Sequence, residues 1–283
     1  MKLHTCLIEE QTEDEAYVQV YWSRAEHLGA AIGNMLAAAR ANGMLNPEPR
    51  QTDPYDLSSL TEEVIPSSAA ETFWADRRYY FSPEPLFQVP YGVISSCVEG
   101  DHDIDEIAPG FTLSRDESGK TTLEANVAGD HLFTLYRNLL ELHPRYKVFW
   151  YLLHDHWDHG SDRFLINEAL DTPEAILDHL EAHQHDSIFN GHVTLTAYLE
   201  EGATNFNLTD HKRLIIHTYS DEVAARYAAR LHDLGYPRME DLVSIERGIH
   251  HWHFRHPASR TKQGLADHLK EIGFSDWEPR RKS

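Results

Sequence analysis

The chain has 283 residues, of which 41% are apolar and 25% charged, with only 15 glycines and 13 prolines. That suits one large or two ordinary globular domains and excludes collagen-like and low-complexity classes. Forty-six acidic against 25 basic residues give a net charge of −21, a surface that repels phosphates and excludes a nucleic-acid footprint.

The N-terminal stretch Met1-Lys2-Leu3-His4-Thr5-Cys6-Leu7-Ile8 turns acidic at Glu9-Glu10. It lacks the long apolar stretch and small-residue cleavage site of a signal peptide. No run of 18 apolar residues follows, so no membrane span is expected. Cys6 and Cys97 are too few for a disulfide framework and read as free thiols in a reducing, cytoplasmic compartment.

Alternating β-branched and aromatic residues predict a strand over 17–21. Ser23 with Glu26 three residues on reads as a capping box, opening a helix with Leu28, Ile32, Met35 and Leu36 on one stripe and a stop near Gly43. Residues 46–76 hold four prolines and no clear period, and read as a long connection with little regular structure. Strand-like pieces over 78–98 are interrupted by Pro83, Pro85 and Pro90, which suits edge strands. The acidic run Glu99 to Glu106 reads as a solvated loop without the calcium-loop pattern.

From residue 110 the elements sharpen. Phe111–Arg115 and Thr121–Val127 flank Asp116-Glu117-Ser118-Gly119 and predict a hairpin. Asp130 is expected to cap a helix ending before Pro144. Tyr146–Leu153 reads as an apolar strand, and Thr172 caps a further helix. Val193–Leu199 and Leu214–Tyr219 read as strands, Ser220 caps a helix over 221–234, and Leu242–Glu246 and Ile249–Phe254 are strand-like. An amphipathic helix over 260–272 ends at Gly273. The predicted class is α+β: ferredoxin-like β-α-β sandwich units, with a duplication hinted at by the repeated grammar, and helices packed on an antiparallel or mixed sheet. The expected division is an N-terminal α+β region over 1–110 and a C-terminal α+β domain over 111–283.

Fifteen of the 20 histidines follow residue 150. In His154-Asp155-His156-Trp157-Asp158-His159, the first two histidines lie two apart at a strand end and share a face on extended backbone. Neutral imidazoles and a carboxylate suit zinc or iron. The spacing His-x-His-x-Asp-His resembles the metal-binding signature of the metallo-β-lactamase superfamily. That resemblance implies that His154, His156 and His159 ligate metal. It makes Asp158 a ligand in a two-metal site, with a metal-bound hydroxide as nucleophile. The later Gly-His step of the family corresponds to Gly191-His192, which adds His192. Its downstream Asp and His have Asp210 and either His217 or His251 as candidates.

A second cluster runs from His250 to His256. On a strand His251, His253 and Arg255 share one face, a polar binding surface, while Trp252 and Phe254 face inward. His179, His183 and His185 near a helix C-terminus read as cations favoured by the helix dipole. Ser95-Ser96-Cys97 has no partner histidine at a recognisable spacing, so a cysteine nucleophile is not expected.

The leading expectation from charge is a soluble acidic binding protein without a cofactor. It would be an inhibitor or immunity-type protein for a protein partner with a basic surface. On that reading the side chains of 154–159 diverge into solvent. The alternative is a metal-dependent hydrolase in which they converge around zinc or iron.

Overall fold

The structure, a computed structural model, describes residues 1–13, 15–55, 64–69, 71–81, 87–96, 106–158, 160–246, 250–256 and 258–277. Its described elements form two antiparallel sheets, a short two-stranded ladder and five α-helices, an α+β architecture. No described helix is long and apolar enough to cross a membrane.

The first sheet is built from β1 (Lys2–Gln11), β2 (Ala16–Ala25), β3 (Glu48–Pro54), β4 (Val64–Pro66) and β5 (Thr72–Phe81), in the order β3-β1-β2-β5-β4. Helix α1 (Leu28–Ala41) covers one face, burying Ala31, Met35, Ala38 and Ala39 against Cys6, Ile8 and Tyr21. Small side chains let the helix lie close to the sheet. Ser23 is not its cap: it stays within β2, and His27 Nδ1 accepts the Ala30 N–H instead. The strand ran longer than its alternating core because its far half is buried as well.

The segment 46–76 is not the unstructured connection expected. It supplies β3, β4 and the start of β5, with 56–63 and 70 outside the described residues. Its prolines fit because β3 and β4 are the two edges of the sheet, where a missing N–H costs no ladder bond. Glu9 and Glu10, where the N-terminal stretch turns acidic, are buried. Arg50 clamps Glu9 with two bonds of 2.5 Å, and the Asn46 N–H donates to Glu10 at 3.0 Å.

The chain continues through β6 (Val93–Ser96), β7 (Gly110–Arg115), β8 (Thr121–Asn126), α2 (Leu132–Leu140), β9 (Val148–Leu153), β10 (Arg163–Asn167) and α3 (Pro173–Ala182). After these come β11 (Val193–Leu199), β12 (Thr204–Leu208), β13 (Leu214–Thr218), α4 (Asp221–Asp233), β14 (His250–His253), α5 (Lys262–Glu271) and β15 (Ser275–Asp276). The second sheet has the order β15-β10-β9-β11-β12-β13-β8-β7. Alternate residues of these strands, among them Leu123, Phe149, Tyr151, Leu195, Phe206 and Ile216, turn to one face. There they meet Leu135, Leu139, Ile176, Leu180, Val223, Tyr227, Leu265 and Leu269 from the four helices in a single core. Tyr136 and Phe206 stack within it at 4.8 Å. Side-chain caps start three of the helices: Thr172, Ser220 and Thr261 accept the N–H groups of Ala175, Val223 and Gly264.

Leu242–Glu246 forms no strand. Ile245 instead joins Phe87, Val93 and Ile107 in a small apolar cluster. All strands of the first sheet precede residue 110 and all strands of the second follow from it. The β6–β14 ladder joins residues 93–96 to 250–253. Arg255 adds a further tie, donating to the Thr52 and Ser259 carbonyls.

Candidate metal centre

Three segments meet at one end of the second sheet. Leu153 ends β9, and the His154 N–H donates to the His192 carbonyl at 3.0 Å, carrying the β9–β11 ladder one step further. Asp155–Trp157 then curl into a single 3-10 turn. That turn brings the His156 ring back to 5.1 Å from the His154 ring. The expectation of divergent side chains fails at these two residues.

The second segment is the five-residue turn Thr209–Arg213 between β12 and β13. It is closed by Thr209 N–H to the Arg213 carbonyl (2.9 Å) and Lys212 N–H to the Thr209 carbonyl (3.0 Å), with Lys212 at φ 60°. Its Asp210 N–H donates to Thr194 Oγ1 at 3.1 Å, and the same hydroxyl bonds His154 Nε2 at 2.8 Å. One threonine therefore anchors both the strand end and the turn. Lys212 points inward, fully buried, and its ammonium donates to the Asn190 carbonyl at 2.6 Å. Burial lowers its pKa to about 7, with Asp210 acting in the opposite sense.

The third segment is β14, which places His251 and His253 beside the turn. Its position depends on Gly191. The Gly191 N–H donates to the Phe254 carbonyl at 2.9 Å, and the Phe254 N–H donates to the Gly92 carbonyl at 2.8 Å. A Cβ on Gly191 would stand 1.8 Å from Gly92 O, so three backbones cross at a point that only glycine permits. The Gly191 carbonyl accepts from His253 Nδ1 and also bonds His156.

Six donors result. His154, His156 and Asp210 each offer one ligand atom within 4.8 Å of the other two, and so do His211, His251 and His253. Asp210 lies between the groups: Oδ1 is 3.0 Å from His211 Nδ1 and 3.9 Å from His154 Nε2, while Oδ2 is 4.0 Å from His156 Nε2 and 3.9 Å from His253 Nδ1. Burial alone would raise the pKa of Asp210, but the hydrogen bond from His211 and the surrounding imidazoles hold it well below the usual carboxylate range. Burial lowers His156, and it lowers His253 to about 3, in both cases against the pull of Asp210. These rings are therefore neutral at neutral pH, the form that ligates metal. The side chain of His156 is 35% exposed and that of His154 19%, so solvent reaches the group.

The other residues of the sequence motifs lie elsewhere. Asp158 turns away to accept from Lys262 Nζ at 2.8 Å. Lys262 is 5% exposed, and that carboxylate supplies its counter-charge beside the Ser161 carbonyl, which accepts from it at 3.0 Å. His159 falls outside the described residues. His192 is buried behind the site, stacked on Trp157 at 5.2 Å and 14°. His217 bonds Thr122 Oγ1 on β8. Arg255 is no surface residue: it is buried with its guanidinium turned to backbone carbonyls, so the polar face proposed for His251, His253 and Arg255 is broken at its third member. Phe254 is buried as expected, whereas the Trp252 side chain lies outside what is described. His211 was not legible as a site residue. Its only signal is a Thr-Asp-His-Lys-Arg turn between two alternating stretches.

Comparison of the chain with protein-family models, curated proteins and solved structures gives no match.

Proposed function

We propose that the protein is a metal-dependent hydrolase holding zinc, or iron, on His154, His156 and Asp210. The observation that supports this is the approach of two imidazoles and a carboxylate, from a strand end and a separate turn, to within 4.8 Å of one another. Two histidines and one carboxylate form the donor set of zinc hydrolytic centres and of non-haem iron, with coordination positions left for water. Ligands of a tetrahedral ion stand about 3.4 Å apart, so side-chain rotations of about an ångström close the set. A metal bound there supplies a Lewis acid and a water acidified towards neutrality. The chain's own part is to present the His154 and His156 rings, keep Asp210 ionised, and hold both segments through Thr194.

This ligand set differs from the one the metallo-β-lactamase resemblance implies, because Asp158 is engaged by Lys262. The test is metal content of untagged protein together with hydrolysis of chromogenic ester and phosphoester substrates. His156→Ala is expected to lose one equivalent of zinc or iron and the activity together, with the far-UV spectrum unchanged. Unchanged metal content and activity in that variant would overturn the proposal.

The charge reading keeps a place as a second proposal, in which the acidic protein recognises a basic partner. Its specific support is the groove between α2 and α3, lined by Glu141, Glu174, Asp178 and Glu181 around Arg137. On this reading, neutralising Glu174 and Asp178 together weakens binding to a polylysine surface at low salt; unchanged binding counts against it. The runs β7-β8-α2, β9-β10-α3 and β11-β12-β13-α4 support a duplicated, ferredoxin-like origin of the second sheet.

A further inference from the structure

We infer that His211, His251 and His253 hold a second zinc-class ion beside the first. The pairing of two ions rests on the function proposed above, whereas the tris-imidazole site stands by itself. His211 Nε2 and His251 Nε2 are 3.0 Å apart, close to the spacing of two nitrogens on one tetrahedral ion, about 3.4 Å. Both neighbouring rings are held in the tautomer that ligation requires. Asp210 Oδ1, an acceptor only, takes the proton of His211 Nδ1 at 3.0 Å, which leaves a lone pair on Nε2 facing His251. The Gly191 carbonyl takes the proton of His253 Nδ1, leaving the lone pair on its Nε2. A carboxylate and a backbone carbonyl on the far nitrogen are the usual supports of metal-bound histidine.

The three rings are inclined to one another by 67–79°, with centroids 4.6–5.3 Å apart. A packing stack looks different here: His185 and His256 lie 3.9 Å apart at 14°. Abundance of histidine does not by itself produce such a group. His179, His183 and His268 also cluster, at 4.9 and 5.0 Å between rings, yet among the described residues only the two triads around Asp210 bring three ligand atoms within 4.8 Å. Three imidazole donors select zinc, copper, iron or nickel over magnesium or calcium. Asp210 shows Oδ1 to His211 and His154 and Oδ2 to His156 and His253, so a single carboxylate would stand between the two ions.

The test is zinc titration of the untagged, full chain by calorimetry and elemental analysis, with His251→Ala and His156→Ala in parallel. Two equivalents in the native chain, with one lost in each variant, is the expected result. Two equivalents retained in His251→Ala would overturn the second site. One equivalent in the native chain, lost in both variants, would also overturn it and leave the hydrolase proposal standing. One equivalent lost only in His251→Ala would support the tris-histidine site and overturn the proposal for His154, His156 and Asp210. No binding would overturn both. If His251→Ala fails to fold, diethyl pyrocarbonate labelling of the native chain decides: zinc is expected to protect His211, His251 and His253 at least tenfold, and equal labelling with and without zinc would refute the site.

Discussion

Gly191→Ala tests whether the backbone crossing behind the site is what assembles it. The added Cβ would lie 1.8 Å from Gly92 O, 2.8 Å from Gly92 C and 3.1 Å from Phe254 O. These are backbone atoms, so no side chain can swing aside, and the strands must part by about 1.6 Å to reach ordinary contact. Separation on that scale breaks the Gly191–Phe254 and Phe254–Gly92 hydrogen bonds of 2.9 and 2.8 Å, each worth about 1 kcal/mol net. Overpacking strain adds roughly 1–3 kcal/mol. A total of about 3–5 kcal/mol lowers the melting temperature by roughly 10 °C in a protein of this size. Because the Gly191 carbonyl also holds His253 and His156, zinc affinity is expected to fall at least about tenfold. Thermal unfolding by circular dichroism and zinc titration read the two effects. Gly33→Ala is the control: nothing lies within 4 Å of its added Cβ on α1, and it is expected to stabilise by up to about 1 kcal/mol. A Gly191→Ala protein that melts with the native one and keeps its zinc would refute the reasoning.

The histidines of α3 predict an acid limb. Burial first, then His183 and His268, lower His179 to about 4 from 6.5. The unfolded chain thus binds this proton more readily than the folded one, so the stability it contributes is complete above pH 6.5 and is lost as pH falls towards 4. Between pH 7 and 5 urea unfolding is expected to show about 2 kcal/mol less loss in His179→Gln than in the native chain; identical pH dependence would contradict this. Arg213, 5% exposed, clamps Glu124 of β8 and Glu246; Arg213→Met is expected to cost about 2–3 kcal/mol in chemical denaturation, partly recovered by adding Glu124→Gln. Asp158→Asn removes the counter-charge of Lys262, whose ammonium keeps the Ser161 carbonyl at 3.0 Å, and is expected to cost about 1 kcal/mol while leaving zinc stoichiometry unchanged. Loss of metal in that variant would restore Asp158 as a ligand.

The four helices of the second sheet were legible because an apolar stripe, with a side-chain cap in three of them, is a local signal that needs no partner; Asp130 does not cap α2, which begins after His131 without a side-chain cap bond. Strands β1, β3 and β4 were not. β1 carries Glu9 and Glu10, whose burial is made tolerable by Arg50 and the Asn46 N–H, contacts that spacing cannot reveal. Prolines made β3 and β4 look like loop until the topology placed them at edges. β10 and β12 were missed as well; β12 carries Asn205 and Asn207, a residue type depleted in strands, and β10 ends on Asn167. At the site, His154 and His156 were visible as a pair on extended backbone, although a 3-10 turn rather than a strand brings their rings together. His179 and His183 read as dipole-stabilised cations, but burial outweighs the dipole and keeps them neutral. Asp158 misled because its proximity in sequence hid its partner, Lys262, more than 100 residues on. Asp210 and His211 lie on a turn whose role depends on three segments meeting in space.

The most direct measurement of the central claim is anomalous X-ray scattering at the zinc and iron edges from crystals of untagged protein grown with each metal. The account predicts a peak bonded to His154, His156 and Asp210, at about 2.0–2.2 Å from each donor atom. Absence of a peak there under saturating metal, or a peak bonded to Asp158 instead of Asp210, would contradict it.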